Sequence, residues 1–399
     1  KLNLRLTGSI NSEEGHVSGI SKDDRLLFIE NLARMRQVSL ESQWHDSDDA
    51  VGWFELERFS RGLELFKKDR MLIDYTDMLN IFLTRGRAPR LDVMFVDEAQ
   101  DLSPLQWAVV RKLCESADRI YIAGDDDQAI YRWAGADVDY LIRNSKNAMV
   151  LKQSYRIPKS IHTLAERCIG QVGARVHKTW NPRKEEGHVS WEPSYESIDM
   201  ESGEWLVLAR TNYLLNGIEE HCRSEGWFYK NKNRASVSEK KIMAVRSWEN
   251  FRKGGLIPVI ELTKVLNYLK VRVPSSLEMI DFDSNVSFEQ AKKYVPTLEN
   301  EYWYDAFVGI PVSERSYIRA MLRRGEKITK EPRIKLSTIH AAKGGEAENV
   351  ILLTDISNRI YKSFQSNPDD ESRVFYVGLT RAKENLFLIE PQTQKYFPL

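Results

Sequence analysis

Long apolar runs are missing from this chain of 399 residues. No stretch approaches the roughly 20 residues of a membrane span, and no basic-then-apolar leader precedes the fold, which points to the cytoplasm. Cysteine is scarce: Cys114, Cys168 and Cys222 are scattered singly without metal-ligand spacing. That pattern sets aside a structural zinc site and fits reduced thiols packed as small apolar side chains. Neither sign of charge is in excess, since Lys plus Arg and Asp plus Glu each number 58. Bulk charge therefore signals no polyanionic partner, and any such surface must come from local placement. Internal repeats and low-complexity tracts are absent too. With 42% hydrophobic and 29% charged residues the composition is that of a soluble globular protein. Its length exceeds the size at which a single hydrophobic core usually keeps growing, so several domains are expected.

Residues 97–101 read Asp-Glu-Ala-Gln-Asp and directly follow the apolar run Leu91–Val96. Two adjacent carboxylates at the tip of a buried strand can hold Mg²⁺ and poise a water against a nucleotide phosphate. A second apolar run, Ile120–Ala123, ends in Gly124-Asp-Asp-Asp-Gln128. Ligands of open parallel sheets sit outside the carboxyl ends of the strands, so both clusters point at one nucleotide site.

Around these strands the pattern alternates. Residues 1–70 read as mainly helical: Ser21-Lys-Asp-Asp24 caps a helix over Leu26–Met35, and Trp53–Lys68 repeats apolar positions at helical spacing. From residue 91 to about 230, runs such as Ala148–Leu151 and Trp205–Ala209 alternate with helical segments, as βαβ units do, and the strands read as buried on both faces. Residues 231–330 show amphipathic segments at Ile242–Phe251, Val259–Val271, Ser287–Tyr294 and Ser313–Arg324, hence a helical insertion. Ile334–Thr338, Val350–Leu353 and Leu386–Ile389 then resume the strand pattern. The fold class is α/β.

Taken singly, the polar groups have plain structural explanations: a solvated turn for the acid pair, a core anchor for an aromatic ring, a local hydrogen bond for a histidine. Their ordered company argues for function. Besides the acid pair, the chain carries 124–136 (GDDDQAIYRWAGA), 153–158 (QSYRIP), 337–346 (STIHAAKGGE) and 375–383 (FYVGLTRAK) in this order. Together they resemble the signature motifs of superfamily 1 DNA helicases of the UvrD/Rep-like group, over roughly residues 70–230 and 330–399.

The resemblance implies two RecA-like parallel-sheet domains, the first incomplete, with helical insertions. Residues 1–70 would be a helical subdomain (a 1B-like remnant), 71–147 the C-terminal part of the first RecA-like domain, and 148–230 and 331–399 the two parts of the second. Residues 231–330 would be the mobile, 2B-like insertion. It implies ATP and Mg²⁺ as cofactors, with Asp97 anchoring the metal and Glu98 accepting a proton from the attacking water. Gln128 would sense the γ-phosphate. Arg156 and Arg381 would reach it across a cleft. Tyr155 would face the adenine and Glu346 the ribose. Trp133 would stack on a base of single-stranded DNA, and Thr338 and His340 would contact its backbone.

The implied activity is ATP-driven translocation along single-stranded DNA with strand separation at junctions, 3′-to-5′ by family habit, in DNA repair or replication beside accessory proteins of those pathways. A non-catalytic DNA-binding or regulatory module derived from a helicase is the alternative, and a translocase that strips proteins from DNA a third. The main departure from the family is the absence of any Gly-x-x-x-x-Gly-Lys-[Ser/Thr] phosphate loop in the sequence. The chain is thus expected to lack an N-terminal segment, and alone to bind ATP weakly or not at all and to be inactive. Gly345 and Ala134 are smaller departures, where the family usually has Leu and Arg.

Overall fold

The computed structural model describes residues 21–47, 51–232, 234–278, 281, 283–326 and 331–399; the expected organisation of residues 1–20 falls outside them. The chain forms two compact units. One comprises the described residues up to Ser194 with Leu208–Leu214 and Thr338–Leu399, and the other Tyr195–Val207 with Leu215–Ser337.

The first unit opens with helices α1 (Lys22–Arg36), α2 (Leu40–His45), α3 (Trp53–Arg70) and α4 (Tyr75–Arg85). Ser21 caps α1 as its sequence suggests, its hydroxyl accepting from the Asp24 amide. Leu26, Ile29, Val51, Leu56 and Phe59 form the core of this helical group. Next come β1 (Leu91–Val96), α5 (Pro104–Cys114), β2 (Ala117–Ile122) and α6 (Val138–Asn144). β1 and β2 pair in parallel with Val96 opposite Ile122, so the residues after both strands emerge side by side.

These two strands differ from the expectation of double burial. One face packs Val96 against Trp107 and Val110 of α5 and Leu141 of α6. On the strands' other side chains, Phe95 is 76% and Tyr121 53% exposed. Both helices lie over the same face, and among the described residues nothing covers the other. Ala148–Leu151 is likewise no strand; Leu151 is exposed, and pairing is limited to one bridge between Gln153 and Asn181. An extended apolar run becomes a strand only where a neighbour takes its hydrogen bonds.

The unit continues through α7 (Lys159–Ile169) and β3 (His188–Glu192); β4 (Trp205–Ala209), whose five residues are all buried, has its first three residues in the second unit and its last two in the first. The second unit holds α8 (Asn216–Glu225), β5 (Tyr229–Asn231), β6 (Arg234–Ala235), α9 (Glu239–Arg252), β7 (Ile257–Pro258), α10 (Val259–Leu269), α11 (Ser275–Glu278), β8 (Asn285–Val286), α12 (Phe288–Tyr294), α13 (Trp303–Ala306) and α14 (Val312–Arg324). Helices make up most of the described residues of 231–330, with the short strands β6, β7 and β8 among them. Trp248, Phe251, Phe288 and Phe307 form its aromatic core. Gly309 donates its amide to the Tyr268 carbonyl at 2.7 Å, so close that a side chain there would strike that oxygen.

The chain closes with β9 (Ile334–Thr338), β10 (Ala347–Leu353), α15 (Asn358–Ser366), α16 (Pro368–Leu379) and β11 (Ala382–Ile389). The larger sheet has seven strands in the order β3-β11-β10-β4-β9-β5-β6. β10 and β3 flank β11 in parallel, β5 runs parallel to β9, and β6 is antiparallel. Among the described residues no helix is long and apolar enough to cross a membrane.

Candidate active site

Where β1 ends, Asp97 and Glu98 are both exposed. Asp97 Oδ1 accepts from the Glu98 amide at 2.9 Å. Glu98 takes a left-handed backbone (φ 50°, ψ 40°), which costs a residue with a side chain about 1 kcal/mol. That turn leaves the Glu98 carboxylate in solvent and sends Gln100 inward. Gln100 then braces the acids, its Nε2 donating to Glu98 Oε2 and its Oε1 accepting from the Asp125 amide at 2.9 Å. The residues fit the way Mg²⁺ binds, through one or two carboxylates completed by waters and substrate oxygens. Among the described residues no group of three or more His, Cys, Asp or Glu side chains could hold a metal unaided.

After β2 the chain turns through Asp126–Gln128. Gln128 Nε2 donates to Asp125 Oδ2 at 2.7 Å, and Gln128 Oε1 accepts from Arg381 Nη2 at 3.4 Å. Lys343, which precedes β10, ties the two acid-bearing loops to the later part of the unit. Its Nζ donates to Asp101 Oδ2 at 2.5 Å and to the Gln128 carbonyl at 3.0 Å, and lies 3.7 Å from Glu98. It also sits over the Tyr131 ring, 5.1 Å from its centroid. Burial raises the Asp101 carboxyl above its ordinary range, against the opposing pull of Lys343.

Arg381, between α16 and β11, is 1% exposed. Its Nε donates to the Val377 carbonyl at 2.8 Å and its Nη1 to the Gly345 carbonyl at 3.3 Å. Burial, and then the cation of Arg156, bring its pKa down to about 10. It remains charged at neutral pH, and two guanidinium groups that repel each other make the space beside them favourable for an anion. Arg156 faces Glu346 at 3.6 Å, and Lys383 faces the same carboxylate at 3.3 Å. Tyr155 is 87% exposed, its ring open to a ligand.

Glu98, Gln128 and Arg381 are therefore linked, directly or through Lys343, with Arg156 and Glu346 next to them. Trp133, Thr338 and His340 are placed differently. Trp133 stacks on Phe28 of α1, 6.2 Å between centroids. Thr338 and His340 are buried; the Thr338 hydroxyl accepts from the Ala341 amide at 3.3 Å, and the His340 carbonyl from the Tyr131 hydroxyl at 3.1 Å. Gln100 and Lys343 were not singled out in the sequence although both lie inside motif stretches. A cation among small residues, as in 341–346, is the one local hint of Lys343.

Parallel sheets with helical insertions, acids at a strand tip and arginines supplied from late in the chain put this protein in the α/β class of RecA-like folds. Residues 25–149 match the UvrD/REP helicase N-terminal domain and residues 312–393 the UvrD-like helicase C-terminal domain. The chain belongs to the UvrD/Rep-like helicase family. A "Probable DNA helicase II homolog" of Rickettsia conorii is 22% identical, over 95% of this chain and 77% of its own length. One of the same description from Mycoplasma pneumoniae is 21% identical, over 84% of this chain and 62% of its own length. The "ATP-dependent DNA helicase UvrD2" of Mycobacterium bovis is 26% identical, over 73% of this chain and 46% of its own length.

Proposed function

We propose that this chain carries the catalytic groups of an ATP-dependent DNA helicase that couples hydrolysis to 3′-to-5′ movement along single-stranded DNA. The observation that carries the reading is the convergence on Gln128: Lys343 and Arg381, both from the last sixty or so residues, grip the loop that follows β2, beside the Glu98 base. Acids from one part of the unit thus face cations from another, as γ-phosphate cleavage requires.

Asp97, with Glu98 beside it, would hold Mg²⁺, which neutralises charge on the phosphate oxygens. Glu98 is exposed and would accept the proton of the attacking water. Gln128, able to donate and accept, would orient that water, while Arg156 and Arg381 stabilise the charge that develops on the transferring phosphoryl group. Binding the nucleotide breaks the Arg156–Glu346 pair in this account and frees Glu346 for the ribose, with Tyr155 against the base. Trp133, Thr338 and His340 would serve the nucleic acid; because the last two are covered, the strand reaches them only when the surrounding loops move. The insertion at 231–330 is the mobile subdomain of this reading, and junctions and accessory replication or repair proteins are its partners.

The test is DNA-stimulated phosphate release by the full-length protein. Glu98→Gln is expected to lower kcat by at least about a hundredfold, within the usual contribution of a general base, with nucleotide affinity kept. Turnover unchanged in that variant refutes the assignment of Glu98.

A further inference from the structure

Residues 170–183 hold none of the motif residues, yet they set two cations against the loop that carries Gln128. Arg175 donates through Nε and Nη2 to both oxygens of Asp127, at 2.9 and 2.6 Å. Lys178 Nζ lies 2.7 Å from Asp125 Oδ1, 2.5 Å from Asp126 Oδ1 and 3.1 Å from Asp127 Oδ2. The Val176 amide donates to Asp126 Oδ2 at 2.8 Å, and Arg373 Nε donates to the Asp126 carbonyl at 2.9 Å. Three consecutive carboxylates, two of them buried, repel one another, and these cations offset that repulsion.

Most of this cluster does no more than hold the loop down. Asp125 differs, because its two oxygens look in two directions: Oδ1 to Lys178 and Oδ2 to Gln128 Nε2, each at 2.7 Å. An ionised carboxylate can only accept, so the Gln128 amide must turn its NH₂ end toward it. Its oxygen is then left facing Arg381 Nη2 at 3.4 Å. Burial pushes the Asp125 carboxyl upward, but the charge and hydrogen bond of Lys178, with the bond from Gln128, outweigh this and hold it below its ordinary range.

We propose that Lys178 is a positioning residue for Gln128, acting through Asp125: it pins the carboxylate that dictates which end of the Gln128 amide faces Arg381 and the γ-phosphate. The consequence for turnover rests on the proposed ATPase reading, whereas the orientation of the amide does not. A readout without ATP therefore comes first. In full-length protein labelled with ¹⁵N-glutamine, the side-chain amide signal of Gln128 is identified by its loss in Gln128→Glu. In Lys178→Met that signal is expected to move and its exchange with water to accelerate about tenfold, as a charge-assisted hydrogen bond is lost. Lys178→Arg should restore both.

In turnover, Lys178→Met should lower kcat about tenfold with little change in the KM for ATP, Lys178→Arg should recover it, and adding Lys178→Met to Gln128→Ala should cost nothing more. Unmoved Gln128 signals in a folded Lys178→Met protein, or additive losses in the double variant, overturn the proposal. Should Lys178→Met fail to fold, Asp125→Asn decides: an amide there both donates and accepts, so the Gln128 signals should shift in the same way, and their constancy overturns the proposal. A full-length protein without any ATPase defeats the helicase reading, whereas the NMR signals still decide the role of Lys178.

Discussion

Lys343 meets three groups that the sequence separates by more than two hundred residues: Asp101, the Gln128 carbonyl and, at 3.7 Å, Glu98. Its side chain is 9% exposed and that of Asp101 22%, so the pair is largely removed from solvent. Lys343→Ala strands the Asp101 carboxylate, at an expected cost of about 2 kcal/mol, less than for a fully buried pair. The sign with pH follows from burial, which already raises the Asp101 carboxyl in the presence of Lys343. Between the unfolded and the raised folded pKa the native state binds more protons than the unfolded one, so stability falls as pH rises through that window. Removing the lysine widens the window, and the loss in melting temperature should be larger at pH 8 than at pH 5; equal losses contradict this account. Arg381→Lys tests the fork geometry. A lysine cannot serve Val377, Gly345 and Gln128 from one planar group, so phosphate release should fall at least about tenfold although the charge is kept. Glu98, Gln128, Arg156 and Arg381 could be picked out from ordered motifs. Gln100, Lys178 and Lys343 could not, because what distinguishes them is a contact made by folding, and spacing along the chain carries no such distance.

At the level of elements, local chemistry was the readable part. Ser21 starts α1, and the apolar spacing of 242–251 and 259–271 became α9 and α10. What failed depended on neighbours: Ala148–Leu151 has strand composition and no strand beside it, and the β1–β2 pair has helices over one face only. α4 shows how much a terminus can hold. Asp74 and Asp77 form a reciprocal capping box, and Arg34 of α1 and Lys67 of α3 both reach the two carboxylates. Asp74→Ala should cost about 1 kcal/mol for the cap, and little more for ion pairs that remain part-exposed and screened. Burial would raise the Asp74 pKa, but the Arg34, Asp77 amide and Lys67 hydrogen bonds outweigh it and hold the carboxyl far below its usual range. Its contribution is therefore complete above the unfolded pKa of about 4 and fades as pH falls toward the folded one. Thermal melts of the protein and of Asp74→Ala should differ most at pH 7, and the gap should narrow steadily as pH falls below about 4 toward the folded pKa; a gap that does not narrow between pH 4 and pH 2 rules out the carboxylate as its source.

For the molecule as a whole, the balance of charge and exposed apolar surface sets how it behaves in solution. Its formal net charge is zero, so no long-range repulsion keeps copies apart. At the same time Phe95 and Tyr121 stack on each other at 5.2 Å on the bare face of β1 and β2. A contiguous apolar patch on a neutral protein favours association through that patch. Rings so exposed contribute little to the fold, and replacing them should change stability by no more than about 0.5 kcal/mol. The double variant Phe95→Ser, Tyr121→Thr of this 399-residue chain should thus melt within a few degrees of the original, yet bind less of a hydrophobic dye and sediment with less aggregate. Undiminished dye binding would mean that the exposed face is covered in solution. A large drop in melting temperature would mean that the rings are packed against something in the native state.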